Sequence, residues 1–309
     1  MPDGPQPRSG RYAPSPTGEL HLGNLRTALL AWLFARSSGS PFLLRIEDLD
    51  RERVRERYVG SQLADLRSLG IDWDGEPVRQ SARGADHEAA LERLRRDGRV
   101  YRCFCSRREV REAASAQHGE APDGAYPGTC RELGEAEADR RAAAGEEFAL
   151  RLRAELAAVT FRDRLHGEHT EVADDVVLRR RDGVVAYNLA VVVDDAEQGV
   201  EEVVRGDDLL PATAAQALLC DLLGLTRPAW VHVPLVLGPD GERLAKRHGA
   251  VTLAELADCG IDPAEALAWM ARTLDLAAPG ERVTATGLVA RFDPDRIPAE
   301  PTTFAGIRP

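Results

Sequence analysis

The spacing of apolar residues in the first fifty positions predicts a strand, a loop, a helix and a second strand. Arg11–Ala13 is a short candidate strand that follows a loose polar tail at residues 1–10. Prolines and glycines interrupt regular structure after it, and apolar residues then fall on one helix face: Leu25, Ala28, Leu29, Trp32 and Leu33. Phe42–Ile46 has the character of a buried strand. This order indicates a βαβ unit, and therefore a parallel sheet with a right-handed crossover.

Similar patterns predict further elements along the chain. Helices are expected at residues 53–69, 86–97 and 211–223, and sheet structure at 184–193, 200–204 and 231–237. Between positions 101 and 174, cysteine, glycine and proline precede an Ala/Glu/Arg-rich helical stretch, which is typical of an inserted module. Gly238–Gly241 is a strong turn signal, and the last 60 or so residues are mainly helical in pattern.

Composition limits the class of protein. The chain has 309 residues, and its hydrophobic content of 43% and charged content of 29% are ordinary for a globular protein. It contains no run of about 18 apolar residues and no secretion signal, so we expect a cytoplasmic protein with no membrane span. The net charge of −11 argues against a general polyanion binder but is compatible with RNA binding through local basic patches. A monomer is the expected state.

The loop between the first strand and its helix is a candidate nucleotide site. Residues 14–24 occupy the carboxyl end of a strand and the positive end of a helix, where parallel sheets bind phosphates. Gly18 and Gly23 would let the backbone approach a phosphate closely, and His21 would add a hydrogen-bond donor where charge develops. The alternative is an ordinary proline-rich loop.

Lysine occurs once in the chain. Lys246 is the only lysine among 40 basic residues, and the other 39 are arginine. It follows a strand and a tight turn late in the α/β region. A lysine on such a loop can neutralise phosphate oxygens in the transition state of adenylyl transfer. The alternative is a solvated surface lysine.

Cysteine usage favours a metal or reduced thiols over a disulfide framework, because five cysteines accompany no secretion signal. Three of them predict a Zn²⁺ site in the insertion: Cys103, Cys105 and Cys130. The fourth ligand is Tyr126 or His118, and chemistry alone favours the histidine. Three unligated thiols are the alternative. The other two lie on apolar helix faces and are expected in the core: Cys220 and Cys259.

Four segments, taken in order, resemble the class I glutamyl-tRNA synthetases. They are Arg11–Gly18 (RYAPSPTG), His21–Asn24 (HLGN), Arg45–Asp50 (RIEDLD) and Arg243–Arg247 (RLAKR). HLGN matches the HIGH signature of that family, and RLAKR matches its KMSKS signature. The resemblance implies an α/β, Rossmann-like catalytic domain with a zinc-binding insertion and a small C-terminal helical subdomain. The nucleotide-binding domain would comprise residues 11–100 and 175–240, the insertion 101–174, and the KMSKS-like loop with the helical subdomain 241–309.

The resemblance also implies roles for individual residues. Glutamate would be bound by Arg11, Tyr12, Ala13, Pro14, Ser15, Glu47, Tyr187 and Arg205. Arg205 would pair with the side-chain carboxylate of glutamate and Glu47 with its ammonium group. ATP, with Mg²⁺, would be bound by Gly18, His21, Gly23, Asn24 and Lys246. His21 and Lys246 would be the catalytic residues.

Two positions depart from the family signatures. Asn24 replaces the last histidine of HIGH, and Ala245 replaces the serine of KMSKS. The second change removes a hydroxyl, which puts the hydrogen bonding of the loop in question. For the metal, resemblance to a short subgroup of the family implies Tyr126 rather than His118 as the fourth zinc ligand, with its phenol ionised on the metal.

The number of residues after the KMSKS-like loop helps to distinguish the possible acceptors of the glutamyl group. About 60 residues follow the KMSKS-like loop, whereas the family members that serve translation carry a large anticodon-binding region there. A short chain with a cysteine module resembles a subgroup that attaches glutamate to queuosine in the anticodon of tRNA(Asp). The implied partners are therefore L-glutamate, ATP and tRNA(Asp) bearing queuosine.

Two alternative functions remain open at this point. One is a short glutamyl- or glutaminyl-tRNA synthetase that charges a tRNA 3′ end, and the other is a non-catalytic RNA- or protein-binding paralogue. A stripe of arginines around the insertion is either a surface for RNA phosphates or a solvated helix face: Arg93, Arg95, Arg96, Arg99, Arg102, Arg107, Arg108 and Arg111.

Overall fold

The computed structural model describes residues 9–106, 108–110 and 126–307. The strands of this part are β1 (Gly10–Tyr12), β2 (Phe42–Ile46), β3 (Val78–Arg79), β4 (Val100–Cys103), β5 (Ala149–Leu152), β6 (Ala158–Asp163), β7 (Gly167–Val172), β8 (Val177–Arg179), β9 (Glu202–Gly206), β10 (Ala229–Val233), β11 (Val236–Leu237) and β12 (Thr302–Thr303). The helices are α1 (Leu22–Ser37), α2 (Glu56–Ser68), α3 (Gly84–Arg96), α4 (Glu135–Ala143), α5 (Tyr187–Glu197), α6 (Thr213–Leu222), α7 (Leu253–Asp258), α8 (Pro263–Arg272) and α9 (Ala285–Val289). Among these helices, none has the length and apolar character that crossing a bilayer requires.

A seven-stranded sheet forms the centre of the fold, in the order β3-β2-β1-β9-β10-β6-β7. Only the β6–β7 pair is antiparallel. The chain leaves β1 towards β2 on one side, whereas β9 continues to β10 on the other. Such a switch point opens a crevice at the carboxyl ends of the two central strands. The predicted α/β fold with a mostly parallel sheet is confirmed, and the nucleotide-binding role of the loop after β1 stays a prediction.

Helix α1 is the centre of the larger hydrophobic core. Its residues are buried on nearly every side, and Leu25, Leu29 and Leu33 are all 0% exposed. Arg26 is also buried, and its guanidinium donates to Thr273 Oγ1 and to the Pro234 carbonyl, at 2.8 Å in each case. Thr273 caps the end of α8 and Pro234 follows β10. Arg26 therefore links the C-terminal helices to the seven-stranded sheet by hydrogen bonds.

The predicted sheet structure at residues 184–193 is wrong, because most of this segment belongs to helix α5. The run of valines is typical of a strand, but the helix packs between α3 and α6 with Leu189, Val191 and Val193 buried. An apolar run that is buried on all sides has no period that would distinguish a strand from a helix. The predicted strand at 231–237 is divided into β10 and β11 around Pro234, which lacks the N–H that a ladder needs.

A smaller antiparallel sheet, β4-β5-β8, carries Cys103 at the end of β4, and Cys105 follows the strand. The Ala/Glu/Arg-rich stretch forms α4 as predicted, but strands β5, β6 and β7 follow it. Strands β6 and β7 lie within the expected insertion at 101–174 and join the main sheet, whereas β8 lies outside that range and pairs with β5. The domain boundaries stay a prediction, and hydrogen bonding between strands crosses them.

Two arginines on neighbouring strands share one buried aspartate. Arg11 of β1 donates through Nε to Asp195 Oδ1 at 3.1 Å, and Arg45 of β2 donates through Nη1 to the same oxygen at 2.6 Å. Burial by itself raises the pKa of Asp195, but the two guanidinium groups outweigh burial and hold the pKa below its usual range. The ionised carboxylate therefore joins α5 to both strands.

The isosteric substitution Asp195→Asn tests this connection. It removes the charge and places an amide N–H₂ against guanidinium donors, so the two buried arginines lose their shared counterion and Arg45 keeps only Glu47, at 3.4 Å. We expect a loss of about 3–5 kcal/mol in the free energy of unfolding, measured by urea titration. Asp295→Asn is the matched control: its side chain is 78% exposed and pairs with Arg164, so the expected loss is below about 1 kcal/mol. Equal losses of unfolding free energy in the two variants would show that the buried network adds no more stability than the exposed ion pair.

Candidate active site

The crevice above β1 and β9 is a cleft of about 520 Å³. Twelve of the predicted site residues line it: Arg11, Tyr12, Ala13, Pro14, Ser15, Gly18, His21, Gly23, Asn24, Glu47, Tyr187 and Arg205. They come from β1, the β1–α1 loop, the first turn of α1, the end of β2, the start of α5 and the end of β9. Residues that are far apart in sequence therefore meet because parallel strands end at the same edge of the sheet.

His21 caps the N-terminus of α1 together with Asn24. The Asn24 N–H donates to His21 Nδ1 and the His21 N–H donates to Asn24 Oδ1, at 3.2 Å in each case. Burial, with the charge of Arg243 as a second cause, lowers the pKa of His21 to about 4. At neutral pH the ring is therefore uncharged, accepts at Nδ1 and carries its proton on Nε2. Asn24, which departs from the HIGH signature, provides the side chain that completes this cap.

Gly23 is required by the position of the His21 ring. A Cβ at residue 23 would lie 3.0 Å from two atoms of the imidazole. A side chain there would require the ring to move by a few tenths of an ångström, which would disturb its cap on α1. Glycine at this position therefore follows from the packing of the histidine against the first turn of the helix.

The floor of the cleft carries paired charges. Arg11, through two nitrogens, contacts both oxygens of Asp195, at 3.1 and 3.4 Å, and it also donates to the Val204 carbonyl. Glu47 lies 3.4 Å from a guanidinium nitrogen of Arg45. Burial raises the pKa of Glu47 above its usual range although Arg45 and Arg11 oppose the shift. Glu47, whose side chain is 10% exposed, is thus an acidic group whose ionised form an added cation would stabilise.

Arg205 is the second buried cation of the cleft. Its Nε donates to His232 Nε2 at 2.9 Å, and short bonds of its terminal nitrogens reach Gln216 Oε1 at 2.7 Å and Thr213 Oγ1 at 2.9 Å. Longer contacts of 3.4 Å reach Tyr187 Oη and the Leu209 carbonyl. Burial lowers the pKa of Arg205, yet a guanidinium stays charged at neutral pH.

The KMSKS-like loop lies against the opening of the cleft. Arg243 and Leu244 line the cleft, and Lys246 begins a short 3₁₀ helix, Lys246–His248, two residues later. The Ala245 N–H donates to His248 Nδ1 at 3.0 Å, and the same ring contacts Asp240 Oδ2 at 3.0 Å through Nε2. Ala245 lacks the signature hydroxyl, and His248 supplies side-chain hydrogen bonds to this loop.

For two residues of the site, Gln62 and Asp195, the sequence gives little indication of a role there. Gln62 is 1% exposed and donates to the Ser15 and Gly18 carbonyls, at 3.2 and 2.8 Å, which holds the β1–α1 loop. Nothing in the pattern of α2 distinguishes it from a surface glutamine. Asp195 has only a weak signal: it is one of two acids that directly follow the apolar run 189–193, and acids beside a buried run need buried partners.

The three predicted metal-binding cysteines converge. The Sγ atoms of Cys103, Cys105 and Cys130 all lie within 4.8 Å of one another. Tetrahedral zinc with Zn–S bonds of about 2.3 Å requires sulfurs about 3.8 Å apart, so the cluster fits. The Tyr126 hydroxyl lies 3.3 Å from Cys103 Sγ and 3.5 Å from Cys105 Sγ.

The remaining cysteine and ligand predictions have different outcomes. His118, the other candidate for the fourth ligand, lies outside the described residues. Cys220 is buried as predicted. The prediction that Cys259 is a core residue is wrong, because it ends the short helix α7 and is exposed.

Most described arginines of the stripe near the insertion have protein partners. Arg95 pairs with Glu92, Arg99 with Glu155 and Arg102 with Asp139. Arg93 donates to the Leu223 carbonyl at 2.7 Å. Arg107 and Arg111 lie outside the described residues. These contacts favour the interpretation of a solvated, ion-paired face over a dedicated RNA-binding stripe.

Comparisons with known proteins place the chain in a family. A family model described as "tRNA synthetases class I (E and Q), catalytic domain" matches residues 9–304. A protein of Nocardia farcinica named Glutamyl-Q tRNA(Asp) synthetase is 59% identical over 293 residues, which are 95% of this chain and 92% of that protein. A protein of the same name from Symbiobacterium thermophilum is 47% identical over 304 residues, 94% of each chain.

A solved structure has the same fold. The crystal structure of a glutamate tRNA ligase from Elizabethkingia meningosepticum, in complex with its amino acid, superposes with a TM-score of 0.82 at 27% identity. The match covers 97% of this chain and 67% of that one. The resemblance inferred from the four signature segments is thus confirmed. With those segments joined around one cleft and the family model spanning nearly the whole chain, this protein belongs to the class I tRNA synthetases for glutamate and glutamine and is a ligase of the aminoacyl-tRNA synthetase type.

Proposed function

We propose that this protein activates L-glutamate with ATP and transfers it to queuosine in the anticodon of tRNA(Asp). The observation that carries the proposal is near full-length identity, 59% and 47%, to two proteins named Glutamyl-Q tRNA(Asp) synthetase. The cation Arg205 and the acid Glu47, which both line the cleft, support an amino-acid substrate with a second carboxylate. Class I synthetases use ATP with Mg²⁺ as co-substrate.

In this proposal the two ends of glutamate are recognised by opposite charges. Arg205 pairs with the side-chain carboxylate, because a guanidinium offers two parallel donors to a planar acceptor. Glu47 receives the ammonium group, and Tyr187 contributes its hydroxyl beside Arg205. Arg11 would lie near the carboxylate that reacts, while Tyr12, Ala13, Pro14 and Ser15 form the wall of the pocket.

The phosphates of ATP would lie at the N-terminus of α1. Gly18, Gly23 and Asn24 line this part of the cleft, and helix N–H groups attract phosphate. His21 is neutral, so its Nε2–H donates a hydrogen bond without adding charge. The carboxylate of glutamate attacks the α-phosphorus, the bond to the β-phosphate oxygen breaks, and glutamyl-adenylate and pyrophosphate form. Lys246 balances the negative charge that develops in this step.

The second step transfers the glutamyl group. A hydroxyl of the queuosine ring attacks the acyl carbon of the adenylate, AMP leaves, and the hydroxyl proton goes to solvent or to the leaving phosphate. Ordinary guanosine lacks this hydroxylated ring, which makes the modification necessary. Sequence-specific recognition of RNA commonly uses unpaired loop bases that reach a protein pocket, and an anticodon loop offers such bases.

The cysteine cluster would hold one structural Zn²⁺ through Cys103, Cys105, Cys130 and Tyr126. Three thiolates and one oxygen donor form a closed tetrahedral set, which is typical of a structural site. Bound zinc would fix the end of β4 against the loop that contains Cys130. The chemistry of the cleft does not require it.

The acceptor is tested with labelled glutamate and four RNAs: tRNA(Asp) with queuosine, the same tRNA without its 3′-terminal adenosine, unmodified tRNA(Asp), and tRNA(Glu). We expect equal labelling of the first two and none of the others, because the acceptor hydroxyl belongs to the modified base. Activation of glutamate itself, measured by pyrophosphate exchange, should need no tRNA. Labelling of tRNA(Glu) that disappears when its 3′ adenosine is removed would instead identify a synthetase that charges the 3′ end.

Lys246→Ala tests the role of the single lysine. We expect adenylate formation to slow by about 100-fold, because removing one transition-state donor costs about that much. The Kd for glutamate should change little, since the charge is needed chiefly while the phosphorus is being attacked. Stopped-flow adenylate formation and calorimetric glutamate binding measure the two quantities. Arg247→Ala is the control from the same loop, and a rise in KM with unchanged kcat for Lys246→Ala would contradict the assignment.

The zinc site is tested by elemental analysis of purified protein. We expect one zinc per chain in the wild type and none in Cys105→Ala. Hydrogen exchange should increase in β4 and β5 more than in β1, β2 and β9, because structural zinc stabilises the segments that it joins. Cys259→Ala, at an exposed cysteine outside the cluster, should keep the metal. A wild type that is stable, active and free of metal would rule out this site.

A further inference from the structure

Behind Arg205 lies a pair of fully buried polar side chains that the proposed mechanism does not use. Asp163 ends β6 and His232 belongs to β10, and both are 0% exposed. His232 Nδ1 contacts Asp163 Oδ2 at 2.7 Å, and His232 Nε2 accepts from Arg205 Nε at 2.9 Å. Asp163, His232 and Arg205 therefore form a hydrogen-bonded row that runs from β6 through β10 to β9 and the cleft.

The protonation of this row follows from its donors. The Nε of arginine only donates, so His232 Nε2 must be the bare acceptor nitrogen and the proton lies on Nδ1. Burial, together with the positive charge of Arg205, lowers the pKa of His232 although Asp163 opposes the shift. The imidazole is therefore neutral and present as a single tautomer.

Asp163 selects that tautomer. Its Oδ1 accepts the N–H groups of Leu165 and His166, at 2.9 Å each, and its Oδ2 accepts the N–H and the Nδ1–H of His232. Burial raises the pKa of Asp163, but these donors outweigh burial and keep it below its usual range. Because all four partners donate, only an ionised carboxylate satisfies them, and it requires the proton of His232 to be on Nδ1.

The partners of Arg205 divide into two groups. The three short bonds go to His232, Gln216 and Thr213, and none of these residues lines the described cleft. The two contacts at 3.4 Å go to Tyr187 and Leu209, and both of these line it. The guanidinium is thus anchored from behind, while one weakly bonded proton on each terminal nitrogen faces the cleft.

We propose that His232, held by Asp163, is a positioning residue that fixes Arg205 so that the two weakly bonded protons meet the side-chain carboxylate of the substrate. This inference rests on the proposed function. An arginine held at Nε presents a rigid pair of donors, which a carboxylate accepts and a carboxamide, with an N–H₂ in place of one oxygen, does not. The pair behind the pocket therefore contributes to the preference for glutamate over glutamine.

Three substitutions separate positioning from general stability. His232→Asn keeps a donor for Asp163 but ends before the position of Nε2, so Arg205 Nε loses its acceptor. His232→Gln is longer and can return an acceptor oxygen to Arg205. Asp163→Asn places an amide where four donors converge. It also permits the other tautomer of His232, in which the Nε2–H would face the Nε–H of Arg205. His169→Asn, a half-buried histidine on β7 stacked on Phe161, is the matched control.

Pyrophosphate exchange with purified full-length protein measures the outcome. We expect His232→Asn and Asp163→Asn to raise the KM for glutamate at least 10-fold with the KM for ATP within about twofold, and to lower the ratio of glutamate to glutamine activation. His232→Gln should recover most of both quantities. His169→Asn should match the wild type. Arg205→Ala sets the upper limit of the effect.

Two results would overturn the inference. One is an unchanged KM and glutamate preference in His232→Asn. The other is a wild-type ¹⁵N NMR spectrum in which His232 carries its proton on Nε2 or on both nitrogens at pH 7, and this measurement holds even if a variant fails to fold. A wild type that does not activate glutamate at all would refute the proposed function instead, whatever the tautomer of His232.

Discussion

The shared burial of two arginines and one aspartate is the constraint on which the catalytic cleft depends. Arg11 and Arg45 stand on adjacent strands, and Asp195 stands on a helix about 150 residues later in the chain. None of these charges is stable in the core alone, because taking an unpaired ion out of water costs several kcal/mol. The strands and the helix therefore have to assemble together, and their assembly places Glu47 and the β1–α1 loop at one edge of the sheet.

The cleft is built in the same way on both sides, with charged groups that are fixed by partners behind the surface. Arg11 is hydrogen-bonded to Asp195. Arg205 is hydrogen-bonded to His232, which Asp163 binds in turn. Such anchoring matters for recognition, because a flexible arginine would lose side-chain entropy at each binding event and would adapt to a neutral ligand as well as to a charged one. In the proposed function, this anchoring contributes to the preference for a charged substrate.

The departures from the family signatures are compensated locally. Asn24 stands where HIGH has its last histidine, and its amide oxygen closes the cap with His21. Ala245 lacks the hydroxyl of KMSKS, and the His248 ring accepts from the Ala245 N–H instead. In both cases the backbone group at the position keeps a partner, so the loops retain a defined shape although a signature side chain is missing.

The resemblance to the glutamyl-tRNA synthetases supplied the residues that line the cleft. The sequence by itself determined the βαβ start, the loop that follows β1 and the three cysteines that meet. These features depend on local spacing and on side-chain chemistry that few alternatives share. Only the tertiary structure decided that residues 187–197 form a helix, that Cys259 is exposed, and that Asp163 and His232 stand behind Arg205. The physical reason is that periodicity specifies which side of a segment is buried but not which distant residue it meets. A fully buried segment has no polar side to reveal its period, and a buried polar residue acquires its role from the partner that the fold brings to it.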